Sequence, residues 1–172
     1  MKKLIALVLL LVFALSITGC RAQKPDSNTS SVPEAFSFAL TWGCYGISSY
    51  DSKTGKLIKT TDATNPDDYI THYELTEEDK EYIYGLLDSL DINSYPDIYD
   101  PGSLMSLPSM TLVLTVCMDD KVKIIKAENI GLSFESEDEK GQKFLSTCKA
   151  ISDRLEATEE WKALPDYEVL YE

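Results

Sequence analysis

Large apolar residues first alternate with small ones in "FSFALTW", where Phe36, Phe38, Leu40 and Trp42 are separated by Ser37, Ala39 and Thr41. A period of two predicts a strand with the large side chains on one face. Gly43 and Gly46 permit a bend around Cys44 and Tyr45. The following "ISSYDSKTGKLIKT" reads as a hairpin: Ile47 to Tyr50 enters, Asp51 to Gly55 turns, and Lys56 to Thr60 returns. From Thr61 to His72 the chain is polar and holds Pro66, which predicts a surface loop.

The period then changes. Thr76 offers an N-cap, Glu77, Glu78 and Asp79 place negative charge in a first helical turn, and Ile83, Leu86, Leu87 and Leu90 fall at helical spacing. A helix is expected from Glu77 to about Leu90, with a narrow apolar stripe suited to one face of a sheet. "YPDIYDPG", with Pro96 and Pro101, cannot continue it. Thr111 to Met118 and Lys121 to Ala127 are rich in strand-forming residues and separated by Asp119 and Asp120, a second hairpin signal. Ser136 and Glu139 have the spacing of a capping box, and Phe144, Cys148, Ile151 and Leu155 share a face of the helix that would follow. Trp161 and the alternating "YEVLY" at the C-terminus allow a last short strand.

This order of strands, helix, strands and helix predicts one α+β domain over residues 35–172, a two-layer arrangement of an antiparallel sheet and two main helices. At about 138 residues it is long enough to enclose one hydrophobic core.

Upstream the pattern has another origin. Lys2 and Lys3 precede a twelve-residue uncharged run from Leu4 to Leu15, too short for a comfortable bilayer span, and Ile17, Thr18 and Gly19 lead to Cys20. In register, these features resemble the lipobox of bacterial lipoproteins. That resemblance implies removal of residues 1–19 and lipidation of Cys20, which would hold the chain to the outer face of a cell membrane. Residues 20–34, including "RAQKPDSNTSSVP", lack large apolar side chains and are expected to be a flexible tether. The stretches "SYDSKTGKL", "YPDIYDP" and "EEWKALPDYEVLYE" resemble short, uncharacterised lipid-anchored proteins of low-GC Gram-positive bacteria. This second resemblance implies a Gram-positive membrane but brings no activity or site residue with it.

Charge narrows the partners. Without residues 1–19 the remaining 153 residues hold 14 basic and 29 acidic side chains, a formal charge of −15. Such a surface repels nucleic acid, so none is expected as a partner. Cys44, Cys117 and Cys148 are too few for a disulfide scaffold, although a Cys44–Cys117 bridge is conceivable if their strands are neighbours. With one histidine, His72, and no CxxC spacing, no metal site or cofactor is expected. The oxygen-rich segments around Asp51 to Gly55 and Asp62 to Asp68 lack a calcium-loop pattern and read as turns.

No serine elbow, HExxH, P-loop or dinucleotide fingerprint is present. A hydrolase would need Cys44 and His72 brought together, or two carboxylates isolated in a cleft. The acids of "TEEDKEY" and "SEDEK" already have a reason to stand where they do, at helix starts, and "TEEW" follows the last helix in a polar stretch that reads as solvated surface. Aromatic residues near strand ends and loops are the stronger candidates for contact: Tyr45, Tyr50, Tyr69, Tyr73, Tyr95 and Tyr99. The phase of Trp42 with Leu40 instead assigns it to the core. A noncatalytic binding or interaction domain is therefore expected, tied to the membrane by its lipid, with an envelope protein, peptide or glycan as ligand. An envelope hydrolase and a structural spacer are the alternatives.

Overall fold

The computed structural model describes residues 32–118 and 121–166. The expected signal segment, Cys20, most of the tether, the turn at 119–120 and the C-terminal "YEVLY" lie outside the described residues.

Six strands form one antiparallel sheet: β1 (Ser37–Trp42), β2 (Ser48–Asp51), β3 (Lys56–Ile58), β4 (Ile70–His72), β5 (Met110–Met118) and β6 (Lys121–Ile130). Their spatial order is β4-β3-β2-β1-β5-β6. Helices α1 (Glu77–Ser89) and α2 (Glu139–Glu156), with the short α3 (Glu159–Ala163), make the second layer of an α+β domain.

The alternation in β1 works as its period dictates. Phe38, Leu40 and Trp42 are buried under the helices beside Leu112 and Leu114 of β5, Leu57 of β3 and Ile125 of β6. From the helix layer Ile83 and Leu87 of α1, and Phe144, Cys148, Ile151 and Leu155 of α2, close the same core. Cys148 has no exposed surface, and burial pushes its thiol well above the usual range, so it serves as a small apolar residue.

Three local expectations change. β4 occupies the end of the stretch read as a surface loop, because Ile70 and Thr71 are β-branched and pair with Ile58 and Leu57. A three-residue edge strand is too short to display a period. The N-cap of α2 is Asp138 rather than Ser136: its carboxylate accepts the Gly141 N–H at 2.6 Å, while the Ser136 hydroxyl donates to the Pro101 carbonyl. Packing chooses between these caps, since a Cβ on Gly141 would stand 2.0 Å from the Pro101 oxygen. Finally, the polar "TEEW" stretch enters α3, with Thr158 accepting the Trp161 N–H at 3.2 Å.

Gly141→Ala should lower stability despite alanine's helix preference of about 1 kcal/mol over glycine. Overpacking costs about 1–3 kcal/mol, and here the obstructing atom belongs to the backbone and cannot swing aside. Urea unfolding at constant m-value checks the sign; a more stable variant would contradict this packing argument.

Candidate functional site

The six candidate tyrosines do not form one surface. Tyr50 is 1 % exposed and Tyr95 is 3 % exposed. Both are corrected from contact residues to core residues. Tyr50 pairs with Leu40 across β1 and β2 and so shares its helix-facing side, and its hydroxyl donates to the Tyr73 carbonyl at 3.0 Å. Tyr95 and Tyr99 pack on Phe144 with ring centroids 5.6 and 5.4 Å away. Burial, reinforced by the Asp138 charge, pushes the Tyr99 hydroxyl up to about 12. Tyr69 is half-buried beside Asp166, and Tyr73 is half-buried over α1. Tyr45 alone of the six stands well exposed, at 66 %.

Tyr73 leads to a charged cluster that sequence reasoning missed. Asp79, 4 % exposed, is the N3 residue of α1. Its Oδ2 accepts from the Tyr73 hydroxyl, from Thr76 Oγ1 at 2.6 Å and from the Thr76 N–H at 3.2 Å. Its Oδ1 accepts from Arg154 Nε of α2 at 2.5 Å. Burial alone would raise this carboxyl's pKa, but the bonds from Thr76, Tyr73 and Arg154 outweigh it and hold the value down to about 2. Asp79 is therefore ionised and fully engaged at neutral pH, which suits a clasp between α1 and α2 and not proton transfer. The missed signal is its phase: Asp79, Ile83 and Leu87 recur every four residues, which puts the acid on the buried stripe.

The cysteine and histidine arrangements fail on register. Cys44 bridges to Met110 at the start of β5, whereas Cys117 pairs with Ser37 near its end. Their strands are neighbours, but seven residues at about 3.3 Å each separate the two positions, far beyond disulfide reach. His72 pairs with Lys56, and Lys56 with Asp51, which places His72 three strand spacings from β1, about 14 Å. No Cys44–His72 pair forms. Trp42, as expected, is in the core, stacked on Trp161 with centroids 5.6 Å apart and donating through Nε1 to Glu156 at 2.7 Å.

Asp51 accepts the Lys53 N–H at 2.8 Å, and Thr54 Oγ1 accepts the Lys56 N–H at 3.3 Å, so both residues serve the β2–β3 turn. Among the described residues no three or more His, Cys, Asp or Glu side chains converge as a metal site.

What the fold does assemble is a broad sheet face turned away from the helices. One row across it runs Ile70, Ile58, Ser49, Thr41, Val113 and Lys126, from β4 to β6. The adjacent row runs His72, Lys56, Asp51, Ala39, Thr115 and Ile124, and a shorter one joins Ser37, Cys117 and Val122. Every one of these residues except Ser37 retains exposed surface, with Val122 at 60 % and Ile124 at 49 %. Charge stands on either side of the centre, at His72, Lys56 and Asp51, which pairs with Ala39, and at Lys126 with its partner Glu128. The centre, over β1 and β5, is Ala39, Thr41, Val113 and Thr115. Tyr45 adjoins this face, because the bend that carries it places Gly46 against Thr41 and Thr111.

The signal for this face was present as the intervening positions of β1 and β5. Solvent-facing strand positions in an acidic chain are expected to be charged, yet Ala39, Thr41, Thr111, Val113, Thr115 and Cys117 are not. No helix among the described residues is long and apolar enough to cross a membrane. No protein family matches the sequence, and no match is found among curated proteins.

Proposed function

We propose that this chain is an extracytoplasmic lipoprotein whose α+β domain acts as a noncatalytic interaction module, with the helix-free sheet face as its contact surface. One observation carries the reading: the centre of that face is uncharged and built of small and β-branched side chains in a chain with 29 acidic residues. Asp and Glu keep a surface hydrated. Their absence from a flat patch lowers the desolvation cost of docking there. A six-stranded platform already paired by backbone hydrogen bonds also needs little reordering on contact, which favours association. The resemblance of residues 1–20 to a lipoprotein signal supports placement at the outer face of a membrane, where an envelope protein, peptide or glycan is within reach.

A photo-crosslinking residue at Thr115, in the middle of the face, should capture one defined envelope component in cells. The same group at Glu81, exposed on α1, should not. Val113→Glu, which puts a charge into the centre, should reduce capture from Thr115 at least tenfold while the circular dichroism spectrum stays unchanged. Equal capture from both positions, or capture indifferent to Val113→Glu, would reject the surface.

A further inference from the structure

One end of the domain carries no charge at all along three segments that meet there. Residues 43–48, 103–110 and 129–134 contain no Asp, Glu, Lys, Arg or His, although 26 % of the chain is Asp, Glu, Lys or Arg. They are tied together at the Trp42 end of β1. The Tyr45 N–H donates to the Ser109 carbonyl at 3.1 Å, and the Thr111 N–H to the Gly43 carbonyl at 3.2 Å. The Gly131 N–H donates to Ser103 Oγ, and the Leu132 N–H to Ser106 Oγ, both at 3.1 Å. The two loops touch so closely that a Cβ on Gly131 would lie 1.8 Å from the Leu104 oxygen.

From this fixed backbone five large side chains project into solvent: Leu107 at 93 %, Met105 at 75 %, Tyr45 at 66 %, Leu104 at 55 % and Leu132 at 52 % exposed. They stand apart from the core and cover none of it. Isolated exposed apolar residues are ordinary; five on one hydrogen-bonded set of loops are not. Charge returns at its margins: the exposed Glu135 directly follows residues 129–134 and its carbonyl accepts the Leu104 N–H at 3.3 Å, while Lys126 and Glu128, paired at 2.8 Å, share a hollow with Asp100 and Met105.

We propose that this uncharged tip enters the lipid–water interface as a second membrane contact beside the lipidated N-terminus. The proposal rests on the lipoprotein reading above. Three features select a bilayer as occupant. Leu107, the most exposed of the five at 93 %, protrudes from its loop, which suits insertion among lipid chains. Leucine and methionine with a neighbouring tyrosine and serines is interfacial chemistry, and the lack of charge spares the tip the repulsion that anionic headgroups exert on the acidic surface. Length also permits it. The chain enters at the opposite end of β1, about 20 Å from the tip, while the 12 residues between Cys20 and Pro33 span up to about 45 Å when extended. The diacylglyceryl group expected on Cys20 already anchors the chain, so this second contact acts on orientation and fixes how the sheet face is presented.

The test uses the full chain extracted from its host membrane and reconstituted into phosphatidylcholine vesicles, in a Leu107→Trp variant. Flotation measures anchoring, and quenching by lipids brominated in the acyl chain measures whether the tip is immersed. The variant should float with the vesicles and its added emission should be quenched at least twofold, unchanged between low and high salt. Adding Met105→Asp should abolish quenching but leave flotation intact. Flotation without quenching would overturn tip insertion alone, and so would capture of a protein by a photo-crosslinker at position 107 in place of quenching. Failure to float would overturn the lipoprotein reading and the tip contact with it. The chain with Leu107 intact, which carries Trp42 in the core and the partly buried Trp161, supplies the emission background to be subtracted.

Discussion

Replacing Asp79 with alanine should destabilise the domain by about 2–4 kcal/mol, enough to lower the midpoint of thermal unfolding by roughly 6–16 °C. The loss arises on both sides of the removed carboxylate. Tyr73, Thr76 and Arg154 lose their common acceptor, and the start of α1 loses half of its capping box. Arg154 keeps its bond to Glu78 at 3.1 Å, so α2 does not lose every tie to α1. Asp79→Asn preserves shape but not charge and should fall between wild type and alanine.

The same cluster fixes a pH dependence. The folded-state pKa of Asp79, about 2, lies below its ordinary value of 3.8. Its contribution is therefore fully present above about pH 4 and is lost as the pH falls toward 2, amounting to about 2 kcal/mol. Urea unfolding at pH 7 and pH 2.5 should show this loss in wild type and a smaller one in Asp79→Asn. Equal losses in both proteins would mean that Asp79 is not the titrating group.

Phe144→Ala should cost a comparable 3–5 kcal/mol, the usual range for deleting a buried phenyl ring. Phe144 has no exposed surface and receives Tyr95 and Tyr99 against its ring, the latter edge-on at 85°. The edge-to-face contact adds to the cavity term. Those two tyrosines carry the connection between α1 and β5 onto the core, and its further end forms the uncharged tip. Phe144→Leu, which refills much of the space, should recover part of the loss. Hydrogen exchange should then report faster opening at Tyr99, whose N–H donates to the Lys126 carbonyl at 2.9 Å, than in the β1–β2 ladder. Uniform acceleration would mean that Phe144 supports the whole domain equally.

Much of the fold was readable because its signals are local. The alternation of β1, the Asp51–Gly55 turn and the Thr76 cap each depend on a few adjacent residues, and each stands where the pattern requires. Tertiary choices were not readable in this way. Ser136 and Asp138 are both chemically competent caps, and only the approach of Pro101 to Gly141 selects the second. Tyr95 carries a polar hydroxyl beside a proline and resembles a loop residue, yet it reaches the Lys140 carbonyl at 3.3 Å with its ring buried. The aromatic residues of the loops, in contrast, mark no common surface, since Tyr50 and Tyr95 are buried and Tyr45 stands apart. The informative residues were the small uncharged ones between the large apolar positions of β1 and β5, whose meaning depends on both strands lying at the centre of a sheet with helices on one side.

Thiol footprinting tests that surface most directly, because Cys117 lies on the helix-free face and Cys148 is buried in the core. In the purified full chain, a small alkylating reagent should modify Cys117 and spare Cys148 until unfolding. In intact cells, where the envelope partner is present, Cys117 modification should slow at least fivefold and recover when Val113→Glu disrupts docking. Equal Cys117 reactivity in cells and in the purified chain would show the face to be unoccupied and contradict its role as the interaction surface.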